Sequence, residues 1–182
     1  MAAPDNLCRV VVDRIAATVD DVAIPESAVR RAMLTSALKI EPGETAAAFR
    51  ERVLDALIDQ HLQYDDAVRF GPATPDAADV TAEVQKLRER LKAQGRDPDK
   101  EFADAGLTPE ELRATVERQL IVQRHLVERF RSAAVASARA YAEEVEKWMK
   151  ELRQRARIER HALAPPYPDG AKLIVLSTAP KK

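Results

Sequence analysis

Three histidines, one cysteine and several adjacent acid pairs are the groups in this chain best suited to chemistry. Histidine titrates near neutrality and can act as acid, base or metal ligand. Paired carboxylates can divide general-acid and general-base work. Here His61, His125 and His161 fall on three different segments, and none belongs to an HExxH. No EF-hand loop, P-loop or GxSxG is present either. Asp65-Asp66, Glu110-Glu111 and Glu143-Glu144 are neighbours on helical stretches, where successive side chains point about 100° apart. Such carboxyls do not share a site, so capping and solvation are the roles they favour. Asp20-Asp21 lies between β-branched runs with no third polar partner close in sequence. It reads as a tight turn rather than a catalytic pair. His61, among Leu57, Ile58 and Leu62, reads as a packed or half-exposed side chain rather than a ligand. Cys8, beside Val10, reads as a small half-buried hydrophobe, and one cysteine supports neither an internal disulfide framework nor a multi-cysteine zinc site. The residues therefore point to no catalytic, metal or cofactor-binding set, and to no cofactor.

Composition narrows the classes further. The 182 residues are 46% hydrophobic but only 4% aromatic, so aliphatics and alanine carry the apolar share. That share is too high for a disordered chain. Lys+Arg number 29 and Asp+Glu 30, a net charge of −1, which argues against a nucleic-acid partner needing a basic face. No apolar run approaches the roughly 20 residues that cross a bilayer. Met1 to Asn6 has neither a basic start nor an apolar core. Two readings stand: a cytoplasmic protein with Met1 as its native start, or an envelope protein whose signal has been removed.

The elements that must position any site are mostly helical. Val10 to Val19, Asp20-Asp21 and Val22 to Ile24 predict a short hairpin. Pro25-Glu26-Ser27 opens a helix to about Ile40. A second runs from Thr45 to Phe70 with a broad stripe, including Phe49, Val53, Leu57, Tyr64 and Val68, that marks it as central to the core. Gly71-Pro72 ends it. Helices follow over 76–94 and 99–105. The series Thr108-Pro109-Glu110-Glu111 supplies N-cap, N1 proline and an N3 acid, a capping box that starts a long helix to about Arg131. That helix carries Leu112, Val116, Leu120, Val127 and Phe130. Residues 133–137 read as a joint. A last helix runs from Ser137 to about Arg155, with Tyr141, Val145, Trp148, Met149 and Leu152 on one face. Arg157 to His161 is a closing strand. Two domains are expected: a helical one over 8–161, and a Pro-rich linker with a C-terminal strand over 162–182. Leu173 to Leu176 reads either as an ordinary edge strand or as one that pairs with a neighbouring molecule.

Binding surface is sought on the thinner stripes. Val80, Val84, Leu87 and Leu91 form a seam at 4-3-4 spacing, with Phe102 and Leu107 following and Leu112 and Val116 on the next helix. Such a seam either packs against another helix or lines an open groove for a peptide. A helical dimerisation or adaptor domain, a homodimer through the same seams, is the alternative. The basic cluster Arg153, Arg155, Arg157 and Arg160 either complements the dipole of the last helix or meets an anionic lipid or acidic partner.

The string from Val12 to Ser27 resembles the opening hairpin and first helix of the SurA-type chaperone N-terminal domain. Ala56 to Ala67 is similar to that family's second-helix pattern "LIDxxLxxxxA". Asp79 to Val84 follows in order, as does Phe102 to Phe130 with its Gly106-Leu107-Thr108-Pro109-Glu110-Glu111 start. The likeness covers about Val10 to Phe130 and resumes over the last helix and Arg157–His161. It implies a mainly α, SurA-N-like domain whose N-terminal hairpin and C-terminal strand form a small β element. It implies an ATP-independent holdase of the periplasm or cell envelope, whose clients are unfolded or extended polypeptides such as outer-membrane proteins. Members usually carry parvulin prolyl isomerase domains before the last helix. Residues 133–137 are far too short to hold one, so no isomerase activity is expected.

Overall fold

The computed structural model describes residues 13–71 and 74–163. Cys8, the start of the first β-branched run, and the linker and strand expected after Leu163 lie outside them. The chain order is β1 (Ile15–Val19), β2 (Val22–Pro25), α1 (Glu26–Thr35), α2 (Ala46–Arg69), α3 (Ala77–Ala93), α4 (Pro98–Asp104), α5 (Pro109–Arg129), α6 (Arg131–Ala136), α7 (Ala138–Arg155) and β3 (Ile158–Arg160). The protein is mainly α with one small antiparallel sheet.

That sheet has the order β2-β1-β3. Asp20 opens the turn between β1 and β2 at φ 51, a left-handed conformation that Asp tolerates better than most side chains. The same residue fastens the far end of the chain. Its N–H donates to the Arg157 carbonyl at 2.8 Å, and its carboxylate accepts from the Arg157 N–H at 2.9 Å. β3 then pairs with β1 from Val19↔Ile158 to Ala17↔Arg160. The turn chemistry and the closure of the domain thus share one aspartate.

Two apolar cores hold the helices. The larger joins the sheet, α1, α2 and α7 around Val19, Val29, Val53, Leu54 and Ile58, with Phe130, Trp148 and Leu152 packed on top. Outside that core, Arg153 donates to Asp59 and Arg160 to Asp55 and Glu51, along one row of α2. The basic cluster is therefore answered in large part by the chain's own α2. Arg155 donates to the Glu151 carbonyl at 3.3 Å, which is the helix-end role expected of it.

The smaller core is a lobe of α3, α4 and the first half of α5, entered from α1 by Leu34. The capping box starts α5: the Glu111 N–H donates to Thr108 Oγ1 at 3.2 Å, and the Thr108 N–H donates to Glu111 Oε2 at 3.0 Å. Arg31 of α1 pairs with Glu111 at 3.1 Å and also donates to the Gly106 carbonyl, so one guanidinium ties the base of the molecule to the lobe.

α1 stops at Thr35, short of the expected end near Ile40. Ser36 is extended, and Arg90 of α3 donates to the Thr35 carbonyl at 3.1 Å, satisfying an acceptor that another helical turn would have used. The following loop is clamped by Arg52, whose paired hydrogen bonds hold the Glu44 carboxyl down at about 2. Residues 133–137, read as a joint, fall in the end of the six-residue helix α6, which carries no buried residue, and in the Ser137 N-cap of α7.

Candidate functional site

The eight seam residues do come together, but as packing. Val80, Leu87, Leu91, Phe102, Leu107, Leu112 and Val116 are all buried in the lobe's core, and Val84 is half-buried against it. Of the two roles open to them, helix-to-helix packing is the one their burial matches. Narrow stripes on α3 and α5 face each other, and Phe102 of α4 plugs the end, so their apolar area is satisfied within the chain. Leu91 is 1% exposed. Leu91→Ala should cost ~2–5 kcal/mol in urea unfolding followed by circular dichroism. A charged residue there would break the lobe rather than report on dimerisation.

The open surface lies on the other side of α3. α2 and α5 pack side by side and form a floor; α3 packs on α5 and stands as a wall. Between them is a cleft of about 950 Å³ bordered by Ala67, Phe70, Ala82, Leu120 and Val127. That volume lies in the range of small-ligand and peptide side-chain sites. Phe70 is the C-cap of α2, and Gly71 behind it takes φ 70, so the helix ends there and leaves the ring at the mouth. Phe70 is 67% exposed and Val127 64%. Val68, expected in the core stripe of α2, also faces outward, at 47% exposed.

Behind Phe70 the wall is polar and aromatic. His125 stacks on Phe70 with ring centroids 6.0 Å apart and an interplanar angle of 22°. Its other neighbour is Trp148, at 5.8 Å. Trp148 Nε1 donates to Asp66 Oδ2 at 3.1 Å, and His125 Nε2 stands 3.4 Å from the same oxygen. The Arg129 guanidinium lies 5.7 Å from the Phe70 ring, 5.5 Å from Trp148 and 3.8 Å from the Asp66 carboxylate. Cation–π contact and ion pairing together keep that arginine against the wall.

Asp66 is the correction among the acid pairs. It is 6% exposed and takes a hydrogen bond from a buried indole, which is neither capping nor solvation. Its neighbour Asp65 points away and meets His61 at 3.4 Å. His61 and His125 therefore sit with different carboxylates. Among the described residues no group of three His, Cys, Asp or Glu is placed to hold a metal ion.

A second cavity, of about 570 Å³, continues the cleft toward α1. Glu83, Lys86, Leu120 and Gln123 border both. Leu87 and Val116 touch its floor, the part of the expected groove set that borders open space there. Lys86 donates to Glu83 at the junction, and that bond raises the lysine's pKa. The chain matches no protein-family model and no curated protein. No helix among the described residues is long and apolar enough to cross a membrane.

Proposed function

We propose that this protein is an ATP-independent holdase that binds unfolded or extended polypeptides in the cleft between α2, α3 and α5. The observation that carries this reading is the pair Phe70 and Val127, both mostly solvent-facing at the mouth of an apolar cleft. Large apolar side chains exposed together beside a concave surface mark interaction sites. Charge around them keeps such a surface soluble, as with Asp79, Glu83, Lys86, Arg124 and Glu128 here. The likeness to SurA-type N-terminal domains, minus the parvulin insert, supports the same assignment. It also supports a place in the periplasm or cell envelope and a binding role without prolyl isomerase catalysis.

The test is light scattering from a chemically denatured model enzyme diluted into buffer. Equimolar protein should suppress aggregation of several unrelated clients. Absence of suppression across all of them would sink the proposal. A concentration-dependent homodimer in sedimentation, with no client effect, would favour the adaptor reading instead.

A further inference from the structure

The helix faces around the two cavities share a periodicity. On α2 the bordering residues are Ala56, Gln60, Gln63, Ala67 and Phe70. Steps of four and three residues place them on one face. Val116, Gln119, Gln123 and Val127 do the same on α5. In both helices the numbering rises from the second cavity toward the first. The two cavities also share Glu83, Lys86, Leu120 and Gln123 as borders, so they adjoin along this face and are treated as one groove. Fourteen helical residues span about 21 Å, enough for about six residues of an extended chain.

The polar groups along this groove are charged side chains, amides, the hydroxyls of Thr35 and Ser36, and the His125 imidazole. The charged ones are already partnered within the chain: Arg124 with Asp79, Lys86 with Glu83, Glu128 with Arg131, Arg129 with Asp66, and Arg90 with the Thr35 carbonyl. The amides are not. Gln63 donates to Met149 Sδ at 3.1 Å, but Gln60, Gln119 and Gln123 have no hydrogen-bond partner among the described residues. A glutamine amide offers two donors and an acceptor with two lone pairs. Every peptide unit of an extended chain presents one donor and one acceptor. A groove whose charges are self-neutralised and whose unpartnered polar groups include three amides and the Ser36 hydroxyl is complementary to a neutral main chain rather than to a charged ligand.

We propose that Gln60, Gln119 and Gln123 hydrogen-bond the main chain of an extended polypeptide, while the apolar end at Phe70 and Val127 takes one anchoring side chain. The inference rests on the holdase reading and specifies how its cleft selects clients. Selection is by free peptide N–H and C=O groups plus a single apolar anchor, with little dependence on the remaining side chains.

Fluorescence anisotropy tests this with a capped, fluorescein-labelled alanine–serine heptapeptide bearing a central leucine, and with the same peptide N-methylated at alternate amides. The wild type should bind the unmethylated form about tenfold tighter, because three modest net hydrogen bonds are at stake. Gln60→Met/Gln119→Met/Gln123→Met keeps side-chain length and helix propensity but removes the amides. It should bind both peptides with nearly equal, weaker affinity. Gln119→Met alone should show part of the effect and serves if the triple variant fails to fold. Equal binding of both peptides by the wild type, with Phe70→Ser weakening both, would overturn the amide role and leave the holdase reading standing. Binding of neither peptide would overturn both. A dimer that competes with the peptide would overturn the inference by making a second copy the occupant.

Discussion

Trp148→Ala should lower the free energy of unfolding by ~3–5 kcal/mol, the range for emptying an aromatic site in a packed core. The side chain is 3% exposed and lies edge-on to Phe130, with centroids 5.5 Å apart. Removing it takes away more than volume. Asp66 would lose the indole N–H at 3.1 Å while staying inside the protein, and a buried acceptor left unmade costs its desolvation in full. Trp148→Phe separates the two contributions. It fills most of the site and loses the donor alone, for ~1–3 kcal/mol. Small domains hold about 5–15 kcal/mol in all, so the alanine variant should be close to its unfolding midpoint at modest temperature. Trp148 is the chain's one tryptophan, so circular dichroism rather than intrinsic fluorescence must follow the urea transition. A loss under 1 kcal/mol for Trp148→Ala would mean that α7 is not fastened to α2 through this residue.

Trp148 also shows which features of the molecule are legible in its sequence. The chemistry of caps and turns is local, so Thr108–Glu111, Asp20 and the ends of α2 and α5 can be read from a few adjacent residues. The apolar face of α7 is equally plain, since a 3.6-residue period survives without knowledge of the partner. The pairing of β3 with β1 follows once both ends of the chain are seen to be β-prone.

What periodicity does not state is which partner satisfies a stripe. The seam on α3 is the same 4-3-4 pattern whether it faces solvent, a client or α5. Only the fold shows that α4 and α5 close it. The face of α2 that does line the groove reads Ala56, Gln60, Gln63, Ala67, Phe70, which is small and polar. A search for apolar surface passes over it. Asp66 did carry a signal. Ile58, Leu62 and Asp66 stand four residues apart on one face, so a carboxylate in third place belongs to the core side. Treating Asp65-Asp66 as a pair hid the fact that its two members face in different directions.

On the proposed holdase function, the double variant Phe70→Ser/Val127→Ser should fail to hold a denatured client, while its thermal midpoint changes little. Both side chains project mostly into water, so the fold gains little from burying them. Phe70 does stack on His125 and under Arg129, contacts worth about 1 kcal/mol together at an exposed site. Client binding has more at stake. An apolar segment seated against both side chains would be driven by roughly 25 cal/mol for each Å² removed from water, and hydroxyls at both positions would forfeit it. The control is Val135→Ser on α6. That valine is 84% exposed, the most exposed large apolar side chain among the described residues, and it does not border the cleft. If client protection came from generic stickiness, Val135→Ser should weaken it as much as a change at Val127. If it comes from the cleft, Val135→Ser should behave as wild type and the double variant should scatter like the client alone. Equal behaviour of the two in light scattering would remove the cleft from the mechanism. Unequal behaviour would tie client binding to the place where α2 ends in an exposed ring and α3 leaves the floor of the groove uncovered.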